Sequence, residues 1–240
     1  MGLRKTKLVS GEIYHVYNRG VDKRDIFIDS EDHLRFIHDL YEFNDKNPTI
    51  NLALYLNPKN KLKEVGLPKI KRGPRERLVN ILAYCLMDNH FHLMIQQKEE
   101  NGITEFMRKI GTGYTNYFNK KYERNGVLFQ GKFKSVHLEK DAHLLYLPIY
   151  IHFNPLDYGF KEWREGKIKN NKKALEFLDN YRWSSHMDYI GKKNFPSVIE
   201  KDFLLNNLGS EEKYKKEIIE WIKSFKDIYD ENLPKNFILE

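Results

Sequence analysis

Apolar and polar residues alternate with a period of two through residues 12–19, EIYHVYNR, putting Ile13, His15 and Tyr17 on one face before Gly20 interrupts the run. This predicts a strand. From 30 to 43, Leu34, Ile37, Leu40 and Tyr41 recur at helical spacing behind Ser30, a residue suited to cap a helix, with acidic residues in the first turn. Residues 44–77 show no sustained period. Two β-rich runs follow, 78–87 and 90–97, joined by Asp88 and Asn89, a pair that favours a tight hairpin turn.

Residues 102–122 carry Ile103, Phe106, Met107, Ile110, Tyr114, Tyr117 and Phe118 three and four apart, the stripe of an amphipathic helix. Gly111 and Gly113 weaken its middle by roughly 1 kcal/mol each. Residues 128–138, LFQGKFKSVHL, alternate again and predict a strand with a basic approach. Asp141 is placed to cap a helix, DAHLLYLPIYIHF, which must end where Asn154 precedes Pro155. A further helix is predicted over 211–226. Strand, helix, hairpin, helix, strand, helix is the order of an antiparallel-rich α+β sandwich with helices packed on the sheet.

Composition narrows the class. Of 240 residues, 40% are apolar and 31% charged, as in a soluble globular chain, and no apolar run is long enough to span a bilayer. No secretory apolar core follows the basic N-terminus, so the expected location is the cytoplasm. The single cysteine, Cys85, lies in an apolar run and is read as a buried thiol. A formal charge of +7 points to an acidic partner, of which nucleic acid is the commonest.

Within CLMDNHFHLMI, residues 85–95, strand alternation places Phe91, Leu93 and Ile95 on one face and His90, His92, Met94 and Gln96 on the other. Both imidazoles then point to one side, as two ligands of one ion would. A half-buried pair satisfied by hydrogen bonds has the same pattern. The apolar face is already supplied, so the histidines are not needed to fill a core. Tyr150 and Asn154 sit four apart on one helix face, able to present a nucleophile and an amide oxygen.

LMDNHFHLMI resembles the HUH motif of single-tyrosine transposases, in particular the REP-associated tyrosine transposases and their IS200-like insertion-sequence relatives. YHVYNRG, YTNYFNKKYERNGVLFQGKFKS, YIHFNPLDYG and YRWSSHMDY extend the resemblance in order over roughly residues 10–190. It implies a ferredoxin-like α+β core, the HUH endonuclease fold. On that basis residues 1–190 are the catalytic domain, with a basic insertion at about 44–77, and 191–240 a helical extension. The resemblance further implies that His90, His92 and Asn154 hold a divalent cation, Mg²⁺ or Mn²⁺, and that Tyr150 is the nucleophile. The reaction implied is nicking and rejoining of single-stranded DNA through a 5′-phosphotyrosine link, at hairpin-bearing ends.

Other assignments stay open at this level. A catalytically silent DNA-binding protein on the same fold, or an HUH replication initiator or relaxase, would share these motifs. Tyr114 and Tyr117 are rival nucleophiles, though they fall on an apolar stripe that packing explains; Tyr158 follows Pro155 in a loop. His152 turns away from Asn154 and reads as packing or a phosphate contact, His15 and His137 as structural or supporting groups. Pro148, two residues before Tyr150, is expected to kink the helix. Lys132, Lys134, Lys71 and Arg72 are the candidate contacts to single-stranded or hairpin DNA, cations interleaved with rings. Lys120 and Lys121 fit a solvated surface equally well. Monomer and homodimer are both compatible, since relatives assemble their sites within one chain or across two.

Overall fold

The computed structural model of the chain describes residues 7–47 and 74–232. Strand β1 (Ile13–Arg19) leads into helix α1 (Ser30–Glu42), the hairpin β2 (Val79–Met87) and β3 (His90–Gln97), helix α2 (Gly102–Lys121), strand β4 (Lys134–His137) and helix α3 (Asp141–Phe153). The sheet order is β2-β3-β1-β4 and every pairing is antiparallel. A βαββαβ chain in that order is the ferredoxin-like arrangement that the resemblance implies.

Burial on both faces of the sheet explains the apolar runs of β2 and β3. Helices α1 and α2 cover one face, where Phe36 packs edge to face with Tyr114 at 5.0 Å and lies 5.0 Å from Phe91. Helix α3 covers the opposite face over β2 and β3. Residues 183–185 close the free edge of β2: Leu86 donates its N–H to the Trp183 carbonyl and Ser185 donates to Tyr84. An exposed strand edge is thus removed. Helices α4 (Asn171–Leu178), α5 (His186–Tyr189), α6 (Lys201–Leu208) and α7 (Glu211–Asn232) complete the described residues, and α6 and α7 pack against α3.

Local details differ from the sequence reading. The cap of α1 is Asp29, not Ser30: its carboxylate accepts from Asp32 N–H, and Asp32 reciprocates at the Asp29 backbone. Helix α3 is preceded by Lys140, which makes no side-chain cap, so Asp141 lies inside the helix. The strand expected over 128–138 shrinks to Lys134–His137 because Gly131, at φ +70°, turns the backbone out of the extended region. Pro148 does not break α3, which continues through it to Phe153.

Candidate active site

Register fixes which side chains share the α3 face of the sheet. One row across the strands reads Lys134, Tyr17, His92, Cys85; its neighbours bring His15 beside Met94, and Arg19 beside His90 and Met87. His90 and His92 therefore do face the same side, their rings 5.0 Å apart and nearly perpendicular. From above, α3 lowers Tyr150 onto them. Its ring lies 6.0 Å from that of His92 and 6.3 Å from that of His15, edge-on to both. The two halves of the site, sixty residues apart in sequence, meet.

Each histidine is oriented by a bond at Nδ1. His90 Nδ1 is 2.6 Å from the Asn89 side-chain oxygen, and His92 Nδ1 is 2.9 Å from His15 Nε2. His92 Nε2 is buried and has no hydrogen-bond partner among the described residues. Burial is the main force on all three imidazoles. It pushes His15 down to about 3 and His92 well below its ordinary value. His90 falls to about 4, burial outweighing the opposing charge of Asp157, with Arg164 and Arg19 adding to the fall. All three are neutral at pH 7, and His90 and His92 can each offer the lone pair of Nε2 to a ligand, while His15 Nε2 accepts from His92 Nδ1–H.

That donor set fits a divalent cation. A metal-binding histidine ordinarily anchors one ring nitrogen on a supporting partner and offers the other, which is the pattern of His90 and His92. Asn154 is buried at the end of α3, and its amide nitrogen donates to the Tyr150 carbonyl at 2.8 Å and the Ile151 carbonyl at 3.4 Å. Pro155 has no N–H to give Ile151, and Asn154 supplies one instead. Only its Oδ1 remains to serve a metal, and no hydrogen bond joins Asn154 to either histidine. Among the described residues no three His, Cys, Asp or Glu side chains gather around one point. Further ligands would be amide, phosphate or water oxygens.

Beyond α3 the chain turns back over this site through 154–158 and 161–165. Arg164 pairs with Asp157, NH2 to Oδ2 at 2.7 Å and Nε to Oδ1 at 3.2 Å, and the Trp163 indole N–H donates to the same carboxylate at 2.6 Å. The guanidinium carbon is 4.4 Å from the Trp163 ring centre and 6.0 Å from that of Tyr150. Tyr150 is 1% exposed, whereas the Asp157 and Arg164 side chains are each 34% exposed. With half-buried His90 they form the rim. Sequence reading missed Arg164, Asp157 and Tyr17. The Tyr17 ring lies 6.0 Å from His92, as near as Tyr150, with Lys134 5.9 Å from its centre. Alternation in EIYHVYNR already placed His15 and Tyr17 on one face; nothing local marked Arg164.

The remaining candidates separate cleanly. Tyr114 donates to the Ile26 carbonyl and Tyr117 to Asp32, both on the far side of the sheet, as packing required. Tyr158 accepts the Asp88 N–H at the hairpin turn. His15 supports His92, and His137 meets Glu12 at 2.8 Å. His152 is fully buried, bonded to Tyr214 and Ser185, and is therefore not a phosphate contact. Lys134 stands on the site face, but Lys132 lines a groove of about 610 Å³ on the opposite face with Phe91, Phe129, Phe133, Met107 and Arg108. Lys71 and Arg72 lie outside the described residues.

A βαββαβ sheet with a histidine pair on an inner strand and a tyrosine-bearing helix laid across it is the architecture expected of an HUH-type core. Residues 59–154 match the family described as Transposase IS200 like. Among solved structures, a REP-associated tyrosine transposase bound to a REP hairpin superposes with a TM-score of 0.50 at 10% identity, over 82% of this chain and 90% of that one. At that identity the likeness is one of fold. No curated protein matches the sequence. No helix among the described residues is long and apolar enough to cross a membrane.

Proposed function

We propose that the protein nicks and rejoins single-stranded DNA, using Tyr150 as nucleophile and a divalent cation held by His90 and His92, with Asn154 Oδ1 as a further donor. The observation that carries this reading is the buried contact between Tyr150 and the His15–His92 pair, in a chain whose residues 59–154 match the IS200-like transposase family. When bound, Mg²⁺ or Mn²⁺ would supply positive charge to the scissile phosphate and the departing oxygen.

The chain's own groups do the rest. Tyr150 Oη forms a bond to phosphorus and loses its proton to solvent; the P–O3′ bond breaks, and O3′ leaves with the electron pair and takes a proton from water. The products are a 5′-phosphotyrosine and a free 3′-OH. A second 3′-OH reverses the step, so the bond energy is kept and no nucleotide cofactor is needed. Because Tyr150 is buried, a strand approaches it past the rim of His90, Asp157 and Arg164. Lys134 is placed to meet the backbone on the same face, and a hairpin-bearing end is the substrate form we favour.

The test uses 5′- and 3′-labelled single-stranded oligonucleotides that carry a hairpin flanked by randomised sequence, with Mn²⁺. A covalent adduct in the wild type that requires metal and is absent in Tyr150→Phe supports the reading. An adduct that persists in Tyr150→Phe assigns the nucleophile elsewhere, and no adduct across the library favours silent binding.

A further inference from the structure

A phosphodiester is anionic and a tyrosinate attacking it would be anionic too, so a fixed positive charge beside Tyr150 would add to that of a cation on His90 and His92. The cation that lies over the Tyr150 ring is Arg164. Resting on the function proposed above, we infer that Arg164 is a catalytic residue: its guanidinium binds non-bridging oxygens of the phosphate that Tyr150 attacks and then carries.

Three features make Arg164 more than a surface charge. It is pre-oriented: Asp157 takes two of its N–H groups as a fork, and Trp163 holds both, bonding the carboxylate at 2.6 Å and stacking under the guanidinium at 4.4 Å. It has donors to spare: of the five N–H groups of a guanidinium, Asp157 occupies two and another engages Tyr150. It also stays charged: burial works against the cation, but Asp157 and the neighbouring Tyr150 outweigh it and raise its pKa. A planar fork of fixed charge suits a phosphate whose charge spreads over its equatorial oxygens.

The turn that carries Arg164 is the second after α3, so the residue approaches the Tyr150 ring from a nearby stretch of chain. No proton passes through it. The guanidinium neutralises charge while the P–Oη bond forms and the P–O3′ bond breaks, and again in reversal. The competing account is that Arg164 merely staples 161–165 to 154–158 through Asp157. A staple depends on the bidentate fork, which lysine cannot make; a charge at the phosphate is partly kept by lysine.

Wild type, Tyr150→Phe, Arg164→Gln and Arg164→Lys are therefore compared for adduct formation on the labelled hairpin library with Mn²⁺, alongside calorimetric titration with inorganic phosphate at low salt. Thermal unfolding checks that each variant folds, and Arg164→Met replaces Arg164→Gln should the latter not fold. We expect Arg164→Gln to slow adduct formation on the order of 100-fold with half-saturating DNA concentration little changed, Arg164→Lys to fall between it and wild type, and phosphate affinity to drop at least ~10-fold in Arg164→Gln. Adduct formation within twofold of wild type in Arg164→Gln, or equal losses in the glutamine and lysine variants, overturns the inference while leaving the Tyr150 reading intact. If wild type forms no adduct, that reading fails and the phosphate titration decides alone: weaker binding in Arg164→Gln supports an anion site at Arg164, and unchanged or absent binding overturns it.

Discussion

His15 Nε2 stands 2.9 Å from His92 Nδ1, a buried bond between two neutral imidazoles on adjacent strands. It fixes the ring plane of His92 and leaves Nε2 toward the Tyr150 side of the sheet. Replacing His15 by alanine should weaken Mn²⁺ binding about 10–100-fold, the usual effect of losing a supporting partner. Calorimetric titration of the full chain with Mn²⁺ checks this. Unchanged affinity would reduce His15 to packing.

A second buried chain supports α3 from behind. Asp179 is an ionised acceptor, held low mainly by its bond to His186, and this sets the direction of the rest. His186 Nε2–H donates to Asp179, Tyr214 O–H donates to His186 Nδ1 at 2.9 Å, His152 Nδ1–H donates to Tyr214 at 2.7 Å, and Ser185 O–H donates to His152 Nε2 at 2.7 Å. Tyr214→Phe interrupts it in the middle. The expected loss is about 1–3 kcal/mol in urea denaturation, the cost of buried polar groups left unpaired.

The two glycines of α2 should respond in opposite ways. A Cβ at Gly111 would meet nothing within 4 Å, whereas one at Gly113 would come within 2.4 Å of the Phe43 ring. Gly111→Ala should therefore stabilise by about 0.5–1 kcal/mol, the ordinary helix gain. Gly113→Ala should destabilise by about 1–3 kcal/mol through overpacking. Thermal or urea unfolding of the two variants side by side separates them.

Asp39 gives the fold a pH dependence of its own. Burial raises its carboxyl to about 6 from an ordinary 3.8, against the opposing pull of Arg35 and His38. Between those values the folded chain holds a proton that the unfolded chain has released, so the contribution of Asp39 is fully present below about 3.8 and is lost as pH rises to about 6. Urea unfolding from pH 4 to 7 should show wild type losing stability relative to Asp39→Asn across that window. Parallel curves would contradict the assignment.

Periodicity carried much of the fold: α1 and α2 each have one apolar face, while the hairpin and α3 were legible as apolar runs between turn and breaker residues, and all stand near where the sequence puts them. The misses were at ends and turns. Gly131 shortened β4, and Asp29 rather than Ser30 capped α1, because cap and turn geometry depends on a few bonds that spacing does not encode. At the site, His90 and His92 were legible as one strand face, and Tyr150 came through its likeness to known motifs. Arg164 was not, and His15 was read as a structural or supporting group without its partner His92, since both contacts depend on which residues cross-strand pairing and a returning turn bring together.

In the proposed reaction Tyr150, and not a neighbouring ring, carries the DNA. Tyr17 lies at the same distance from His92, Tyr146 precedes Tyr150 on α3 and packs on Trp221, and Tyr158 follows in the next turn. Fragmentation mass spectrometry of the nuclease-trimmed adduct locates the nucleotide on one side chain. A phosphonucleotide is expected on Tyr150 alone within the tryptic peptide 141–161; modification of Tyr17, Tyr146 or Tyr158 in its place would assign the nucleophile to that ring instead.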